Sequence, residues 1–236
     1  MRRNLIALLL IIGLIPSLQA QNLLKPEWKF KTGDNSAWAW PDFDDSGWDA
    51  IEAGTGWENQ GHSTYDGFAW YRQEVFIPEE LKKQAEKNGG MVLKLARIDD
   101  SDVTYFNGQI LGSTGGFPPD YQSGYGDPRV YEVPLSRIKW GAENTIAVRV
   151  FDGGGGGGIV GQPVNLAVKG MDELLLISPV MERPDQLVLD EEALTVQLMM
   201  ENKMKKAVEG SLLVTVASDF GDAVLELSKD VKVRSG

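Results

Sequence analysis

The sequence predicts an all-β protein, and three observations support this class. Residues 91–112 contain two apolar runs joined by Asn107-Gly108, a pair that favours a tight hairpin because both turn positions need positive φ. Residues 144–152 alternate apolar and polar side chains, as half-buried strands do. Strands and long helices do not alternate along the chain, which argues against a doubly wound or barrel enzyme.

The first twenty residues have the pattern of a secretory signal peptide. Arg2 and Arg3 form a short basic region, an apolar stretch covers residues 5–15, and the small residue Ala20 ends the segment. Such a stretch is too short for a lasting membrane span. We therefore expect a secreted or periplasmic protein with no stable membrane anchor.

Charge and cysteine content exclude several classes of function. Without residues 1–20 the chain would keep 21 of its 23 basic residues against 34 acidic ones, a net charge of −13. An acidic surface repels phosphate, so we expect no nucleic-acid partner. The absence of cysteine excludes disulfides, thiolate zinc sites and a cysteine nucleophile.

The elements of residues 21–112 follow in order. Residues 21–71 hold six of the seven tryptophans among frequent turn residues, which indicates short strands joined by structured loops. Residues 72–77 form a strand candidate, and Pro78 then opens a short helix that ends at 88–90. The apolar run from residue 91 breaks at 99–102 and resumes at 103–106, before the Asn107-Gly108 turn.

The next elements are a long loop and further strands. Residues 113–128 are rich in Gly, Pro, Ser and Tyr, which indicates a loop. Residues 129–133 and 144–152 read as strands, and a run of six glycines at 153–158 separates the latter from an apolar stretch at 159–169. No helix follows the glycines, so we interpret them as a flexible connection between strands and not as a phosphate loop.

Composition changes near residue 170. Residues 178–184 look like a linker, and residues 194–200, 211–217 and 224–227 alternate as strands, with a further short one at 231–233. This pattern predicts an immunoglobulin-like sandwich, but such a fold usually needs about 100 residues. We therefore expect the chain to stop inside an incomplete second domain at 171–236.

Five short motifs in the same order resemble the sugar-binding-like N-terminal domain of glycoside hydrolase family 2. They are WKFKTGD at 28–34, DFDDSGW at 42–48, AWYR at 69–72, RIDDSD with Asn-Gly at 97–108, and NTIAVRV at 144–150. The resemblance covers residues 26–169. It implies a galactose-binding-like jelly-roll β-sandwich at 21–170, followed by the partial immunoglobulin-like β-sandwich.

The resemblance also implies a function. The chain would be the non-catalytic, carbohydrate-binding-like or scaffold portion of an exported glycoside hydrolase of the β-galactosidase or β-glucuronidase type. Its partner would be a glycan or a covalently following catalytic domain. Two alternatives stay open: an accessory domain of a carbohydrate esterase similar to sialate O-acetylesterases, and a stand-alone secreted glycan-binding module.

The candidate sugar-binding residues lie in one loop region. Sugars stack their apolar faces on aromatic rings while carboxylates and amides bond their hydroxyls. A mixture of these groups occurs at Trp57, Glu58, Asn59, Tyr65 and Asp66. We expect these residues, and not a catalytic pair of carboxylates, to face a ligand.

A second group of polar residues is predicted to hold the scaffold together. It consists of Arg72, Asp99, Asp100, Asn107 and Arg149, with Arg72 expected to bridge Asp99 or Asp100. Asp-rich turns usually cap their own backbone, so we do not expect these carboxylates to be catalytic, and no cofactor is expected. The oxygen ligands of the Asp clusters are nevertheless compatible with a structural calcium ion.

Overall fold

The computed structural model describes residues 6–11, 22–170, 174–181, 196–203, 207–218 and 223–235. It confirms the all-β class: the chain is built from antiparallel sheets. The chain divides into two compact units: the larger is residues 20–169, and the smaller joins the strand at 6–11 to the residues after 169.

The larger unit contains a six-stranded antiparallel sheet. Its spatial order is β3-β2-β4-β9-β6-β7. In chain order the strands are β2 (Glu27–Thr32), β3 (Asp49–Glu52), β4 (Gly67–Ile77), β6 (Ser101–Phe106), β7 (Gln109–Thr114) and β9 (Ala142–Asp152). The centre of this sheet is the long pairing of β4 with β9, in which Gly67 lies opposite Asp152 and Ile77 lies opposite Ala142.

A three-stranded sheet completes the β-sandwich of this unit. Its order is β10-β5-β8, formed by β5 (Met91–Asp99), β8 (Pro128–Val133) and β10 (Gly158–Val168). Apolar side chains that alternate along the strands fill the core, because every second residue faces the other sheet. Large buried members of this core are Trp28, Phe30, Trp57, Tyr71, Leu93, Leu95 and Phe106.

The outer face of the six-stranded sheet has a smaller apolar cluster of its own. Trp48, Trp70 and Ala147 are buried there, and Trp38 and Phe43 pack against them. Trp38 lies edge-on to both other tryptophans, with ring centroids 5.1 Å from Trp48 and 6.1 Å from Trp70. The segment after β2 therefore folds back over β4 and anchors itself with aromatic rings.

The segment singled out at 91–112 spans both sheets. β5 ends at Asp99 and β6 begins at Ser101, so Asp100 is the residue at which the chain leaves one sheet for the other. The predicted turn joins β6 to β7, and Asn107 and Gly108 have φ of 50° and 78°. Both values are positive, as a type I′ turn requires.

The predicted short helix is present as a 3-10 turn, Glu79–Leu81, followed by an α-helix, Lys82–Asn88. Gly89 caps it in the left-handed conformation, with φ of 78° and its N–H bonded to the carbonyl of Ala85. Glycine serves here because a side chain would be strained at this φ. The helix links β4 to β5.

The smaller unit is also made of antiparallel strands. One sheet has the order β1-β13-β14, formed by β1 (Ile6–Ile11), β13 (Val208–Ser218) and β14 (Ala223–Val233), and a second pairs β11 (Leu175–Met181) with β12 (Val196–Asn202). The two strands expected at 224–227 and 231–233 are one strand, β14. Its identity as part of an immunoglobulin-like domain remains a prediction.

Two further expectations concern the ends of this unit. Ser178 and Pro179 lie inside β11, paired with Met199 and Leu198, so the predicted linker is wrong for these residues, and its continuation at 182–184 lies outside the described residues. β1 comes from the predicted signal peptide, whose apolar run also suits a strand; export remains a prediction. None of the helices in the described part of the chain has the length and apolarity needed to cross a membrane.

Candidate functional site

Three carboxylates meet where β5, β6 and β9 reach the same end of the sandwich. Asp99 ends β5, Asp100 connects it to β6, and Asp152 ends β9. The backbone N–H of Asp100 donates to the carbonyl of Phe151 at 2.8 Å, which fixes this connection beside β9. One carboxylate oxygen from each aspartate lies within 4.8 Å of the other two.

The hydrogen bonds of this cluster are unevenly distributed. Asp100 accepts from the Ser123 hydroxyl at 2.5 Å and from the N–H of Gly153 at 2.9 Å. Oδ1 of Asp152 accepts from the N–H of Gly154 at 2.8 Å. Its second oxygen, Oδ2, is buried and has no hydrogen-bond partner among the described residues. A buried carboxylate oxygen without a partner is unfavourable, so this atom stands out.

The shifts in pKa reflect the crowding of negative charge. Burial raises the pKa of Asp99 to about 7, with further contributions from its hydrogen bond to Asp100 and from the charges of Asp100, Asp152 and Glu58. Burial also raises the pKa of Asp152, with Asp66, Asp100 and Glu58 adding to the effect. Like charges that share a site make ionisation harder for each other.

Asp100 behaves in the opposite way. Burial would raise its pKa, but hydrogen bonds from Ser123, Tyr121 and Gly153 outweigh that effect, and the pKa is lowered. Donors that bond to a carboxylate stabilise its charged form. Of the three carboxylates, Asp100 is therefore the one whose negative charge is best stabilised by donors of the protein.

The glycine run forms one wall of this site and is closely packed at its end. The N–H of Gly157 donates to Glu58 at 2.7 Å, and the N–H of Trp57 donates to the carbonyl of Gly157 at 3.1 Å. A Cβ at Gly157 would lie 2.2 Å from the Trp57 ring, and one at Gly158 would lie 2.4 Å from the Tyr71 hydroxyl. The expectation of a flexible connection is wrong for these two glycines, because neighbouring side chains fill their space.

The five candidate sugar-binding residues share one loop region but do not all face outward. The Trp57 ring is 0% exposed, and its Nε1 donates to the carbonyl of Tyr65. A ring without an exposed face cannot stack on a sugar, so Trp57 is corrected to a core residue of this loop. Asn59 and Asp66 are exposed and Glu58 is half-buried.

The side chain of Tyr65 also makes its hydrogen bonds and ring contacts within the protein. Its hydroxyl donates to the carbonyl of Phe68 at 2.5 Å and accepts from the N–H of Gly33 at 3.1 Å. The half-buried ring packs against Trp57 with centroids 5.9 Å apart. A ligand would therefore meet Asn59 and Asp66 before any aromatic face of this loop.

The polar group predicted around Arg72 is not one cluster. Arg72 pairs with Asp45 at 2.7 Å and donates to the carbonyls of Trp38 and Trp40. The expected bridge from Arg72 to Asp99 or Asp100 is wrong, because Arg72 points to the outer face of its strand, where residues 38–45 cover it.

Arg149 and Asn107 occupy two other places. Arg149 pairs with Asp34 at 2.5 Å, and its guanidinium lies 4.4 Å and 4.5 Å from the ring centres of Phe68 and Phe117. Asn107 is part of the turn itself: its Nδ2 donates to the carbonyl of Arg137 and to Asn144, and its Oδ1 accepts from the N–H of Thr145. Each residue stabilises its own strand connection.

Sequence reasoning missed the most buried ion pair of the larger unit. Asp102 and Arg129 are both 0% exposed and 2.9 Å apart. Asp102 also accepts from Thr104 at 2.8 Å and from the Tyr131 hydroxyl at 2.9 Å. Arg129 in turn donates to the carbonyls of Gly124, Asp127 and Asp100, which fastens the long loop. Strand alternation could have placed Asp102 inward with Thr104 and Phe106.

Asp152 was missed for a similar reason. It ends the alternating strand 144–152 and shares the inward parity of Val148 and Val150. That parity was visible in the sequence. What the sequence did not contain was the strand order that sets Asp152 beside Asp100.

No family model matches the sequence, and no curated protein matches it. Solved structures do match the fold. A β-glucuronidase from Bacteroides uniformis is 24% identical with a TM-score of 0.60; the match covers 92% of this chain and 26% of the enzyme. A β-glycosidase from Bacteroides vulgatus is 20% identical with a TM-score of 0.57, over 92% of this chain and 29% of the other.

A glycosyl hydrolase family 2 member from Bacteroides cellulosilyticus is also similar, at 19% identity and a TM-score of 0.55, over 92% of this chain and 30% of the other. At this identity the likeness establishes a shared fold. The chain spans between a quarter and a third of the length of these proteins.

Proposed function

We propose that this chain is a non-catalytic, N-terminal scaffold portion of an exported glycoside hydrolase of family 2, of the β-galactosidase or β-glucuronidase type. The observation that carries the proposal is the match of 92% of the chain to about a quarter of a β-glucuronidase. The rest of such an enzyme, including its catalytic domain, would lie outside these residues. The five sequence motifs support the same family.

The side chains of the larger unit favour bracing over catalysis. A retaining glycosidase needs two carboxylates that flank the bond to be cleaved and that substrate can reach. Asp152 is 1% exposed, and Asp100 is bonded to Ser123 and Gly153. Neither is free to attack or protonate a sugar. We expect the purified chain to hydrolyse neither nitrophenyl β-glucuronide nor nitrophenyl β-galactoside.

The coding DNA after the codon for Gly236 is the sharpest test of this proposal. An open frame for a (β/α)₈ barrel would support the glycosidase scaffold. A frame for a serine esterase of the SGNH type would replace it with the esterase alternative. A stop codon would contradict the scaffold and support a stand-alone glycan-binding module.

Sugar binding by the chain itself is a separate measurement. Calorimetry against galactosides and glucuronides should show no heat of binding if the unit only braces a catalytic domain. A dissociation constant in the millimolar range or tighter would favour the binding module, provided Asp66→Ala abolishes it. The matched control is Asp49→Ala, an exposed aspartate on β3. Loss of binding in both variants would argue against a site at Asp66.

Export and calcium complete the proposal. If residues 1–20 are a signal peptide, the mass of the chain recovered from a bacterial periplasm should correspond to cleavage after Ala20, and an uncleaved cytoplasmic chain would contradict export. A structural calcium ion is included because one similar structure is a calcium-binding mutant of B. uniformis β-glucuronidase 2, 24% identical to this chain.

A further inference from the structure

We propose that Asp99, Asp100 and Asp152 bind a divalent cation, and that this cation is calcium. The observation that points to a ligand is the second oxygen of Asp152. The residue is 1% exposed, yet Oδ2 has no hydrogen-bond donor among the described residues. The carboxylate of Asp152 also contributes one oxygen to a group of three that lie within 4.8 Å of one another. The inference rests on the structural calcium ion of the proposed function and assigns a site to it; the calcium titrations below test it separately from the glycosidase scaffold.

The spacing of the three oxygens suits calcium. They lie within 4.8 Å of one another. Calcium binds oxygen at about 2.3–2.6 Å, so ligands on opposite sides of the ion can be about 5 Å apart. Magnesium binds at about 2.0–2.1 Å, which limits that span to about 4 Å and demands near-octahedral order. An upper limit of 4.8 Å is within the span of calcium. Three carboxylates at one site also favour calcium, because magnesium usually takes one or two carboxylates and keeps several waters.

The chemistry of the donors also fits. Carboxylate oxygens are hard ligands and have no affinity for soft metals. Asp100 already accepts from Ser123 and Gly153, but each carboxylate oxygen has two lone pairs and can still face a cation. Asp99 is half-buried, so water can complete the six to eight ligands that calcium takes.

The protein itself does not neutralise this charge. In the part of the chain that the structure describes, no lysine or arginine forms an ion pair with any of the three aspartates. Arg129 contacts this segment, but its Nη2 donates to the backbone carbonyl of Asp100 and its Nε to Asp102. Glu58 adds further negative charge to Asp99 and Asp152. A bound cation supplies the missing positive charge.

The position explains what the ion would do. Asp99 and Asp100 mark the crossing from the three-stranded to the six-stranded sheet, and Asp152 precedes the glycine run. A cation bound to all three would tie the crossing to the end of β9 and to the loop at 153–157. Its role is structural, because it would join two sheets and a loop at one point.

The test uses the purified chain, stripped with a chelator and returned to calcium or magnesium. We expect one calcium per chain, with a dissociation constant of about 0.1–1 mM, the range of extracellular calcium modules. The melting temperature should rise in about 10 mM calcium and rise less in magnesium. Terbium should bind in place of calcium, with emission sensitised by Tyr121, which bonds Asp100, and calcium should quench that emission by competition.

Two variants and one control assign the site. Asp152→Asn should weaken calcium binding about tenfold or more and remove the rise in melting temperature. Asp99→Asn should do the same, and since Asp99 is only half-buried this variant keeps the test valid if Asp152→Asn fails to fold. Asp49→Asn removes an exposed aspartate of β3 and should leave the response unchanged.

Three results would overturn the proposal. The first is a melting temperature that calcium does not change, together with no terbium emission. The second is a calcium response that persists in both Asp99→Asn and Asp152→Asn. The third is an equal response to magnesium, which would contradict the assignment to calcium.

Discussion

Asp102 and Asp152 lie on neighbouring strands of the same sheet, both face the interior, and both are almost fully buried. Asp102 has an arginine at 2.9 Å and hydroxyl donors from Thr104 and Tyr131. Asp152 has one backbone donor, an unpartnered oxygen and two more aspartates nearby. A buried carboxylate needs either an internal partner or an external one. Asp102 has its counter-charge and its donors within the chain. Asp152 has neither for its second oxygen, and the proposed cation would supply the missing partner.

Asp102→Asn should produce the largest loss of stability among the changes that test this contrast. An amide cannot neutralise Arg129, and breaking a buried ion pair costs about 3–5 kcal/mol because the remaining charge stays uncompensated. Urea unfolding of the chain should show this loss. Arg129→Lys is the companion variant: it keeps the charge but loses the fork that holds Gly124 and Asp127. A loss below about 1 kcal/mol in Asp102→Asn would show that the pair adds little.

Gly157→Ala should have the next largest effect, at the other site. The added methyl would lie 2.2 Å from the Trp57 ring, and overpacking of this kind costs about 1–3 kcal/mol. Gly156→Ala is the matched control, since its Cβ would meet only Asp99, at 3.9 Å. The control should be neutral or slightly stabilising, because alanine restricts the unfolded chain. Equal unfolding free energies for the two variants would contradict the close packing of this loop.

Gly157 and the Asn107-Gly108 turn differ in whether their structure could be predicted from the sequence. The Asn107-Gly108 turn was predictable because its geometry depends on two adjacent residues. The all-β class followed from alternation within single strands. The role of Gly157 was not predictable, because it depends on Trp57, which lies 100 positions earlier in the chain. The glycine run looked flexible only because its packing partners are distant in sequence.

In the candidate site, too, features set by neighbouring residues were predictable and features set by distant residues were not. Asp99 and Asp100 drew attention because they interrupt an apolar run, which is a local signal. Their partner Asp152 and the true partner of Arg72, Asp45, depend on strand order and on how a loop folds back. Trp57 was misjudged as a ligand-facing ring because composition cannot tell a buried tryptophan from an exposed one. Local chemistry was readable, and the pairing of distant side chains was not.

Arg149→Met should have a smaller effect, at a third, partly exposed site. The variant keeps an apolar stem between Phe68 and Phe117 but loses the ion pair with Asp34, at a cost of about 1 kcal/mol. The hydrogen bond from Arg149 is the main reason that the pKa of Asp34 is lowered. A lowered pKa in the folded state gives stability that is present above about pH 4 and is lost as pH falls through the folded pKa.

The pH dependence of stability therefore distinguishes the two roles of Arg149: losing its charge changes this dependence, whereas losing only its packing does not. The free energy of unfolding of the parent chain should decrease below about pH 4, and that of Arg149→Met should decrease less steeply over the same window. The control is Lys82→Met, which removes one positive charge from an ion pair with the exposed Glu79. An acid profile that is identical in the parent chain and in Arg149→Met would show that Asp34 is not held by this arginine.

Asp152→Asn, measured in chelator, should have the smallest effect and the opposite sign to Asp102→Asn. The side-chain oxygen can still accept from the N–H of Gly154, as Oδ1 does now. The new Nδ2 replaces an oxygen without a partner, and it brings a donor into a group in which one oxygen of each carboxylate lies within 4.8 Å of the others. A gain of about 0.5–1 kcal/mol is expected from one such hydrogen bond and from one negative charge fewer. The same substitution thus costs stability where the chain supplies the counter-charge, and adds stability where it does not. A destabilisation as large as that of Asp102→Asn would mean that Asp152 is already satisfied within the fold, and the contrast between the two sites would fail.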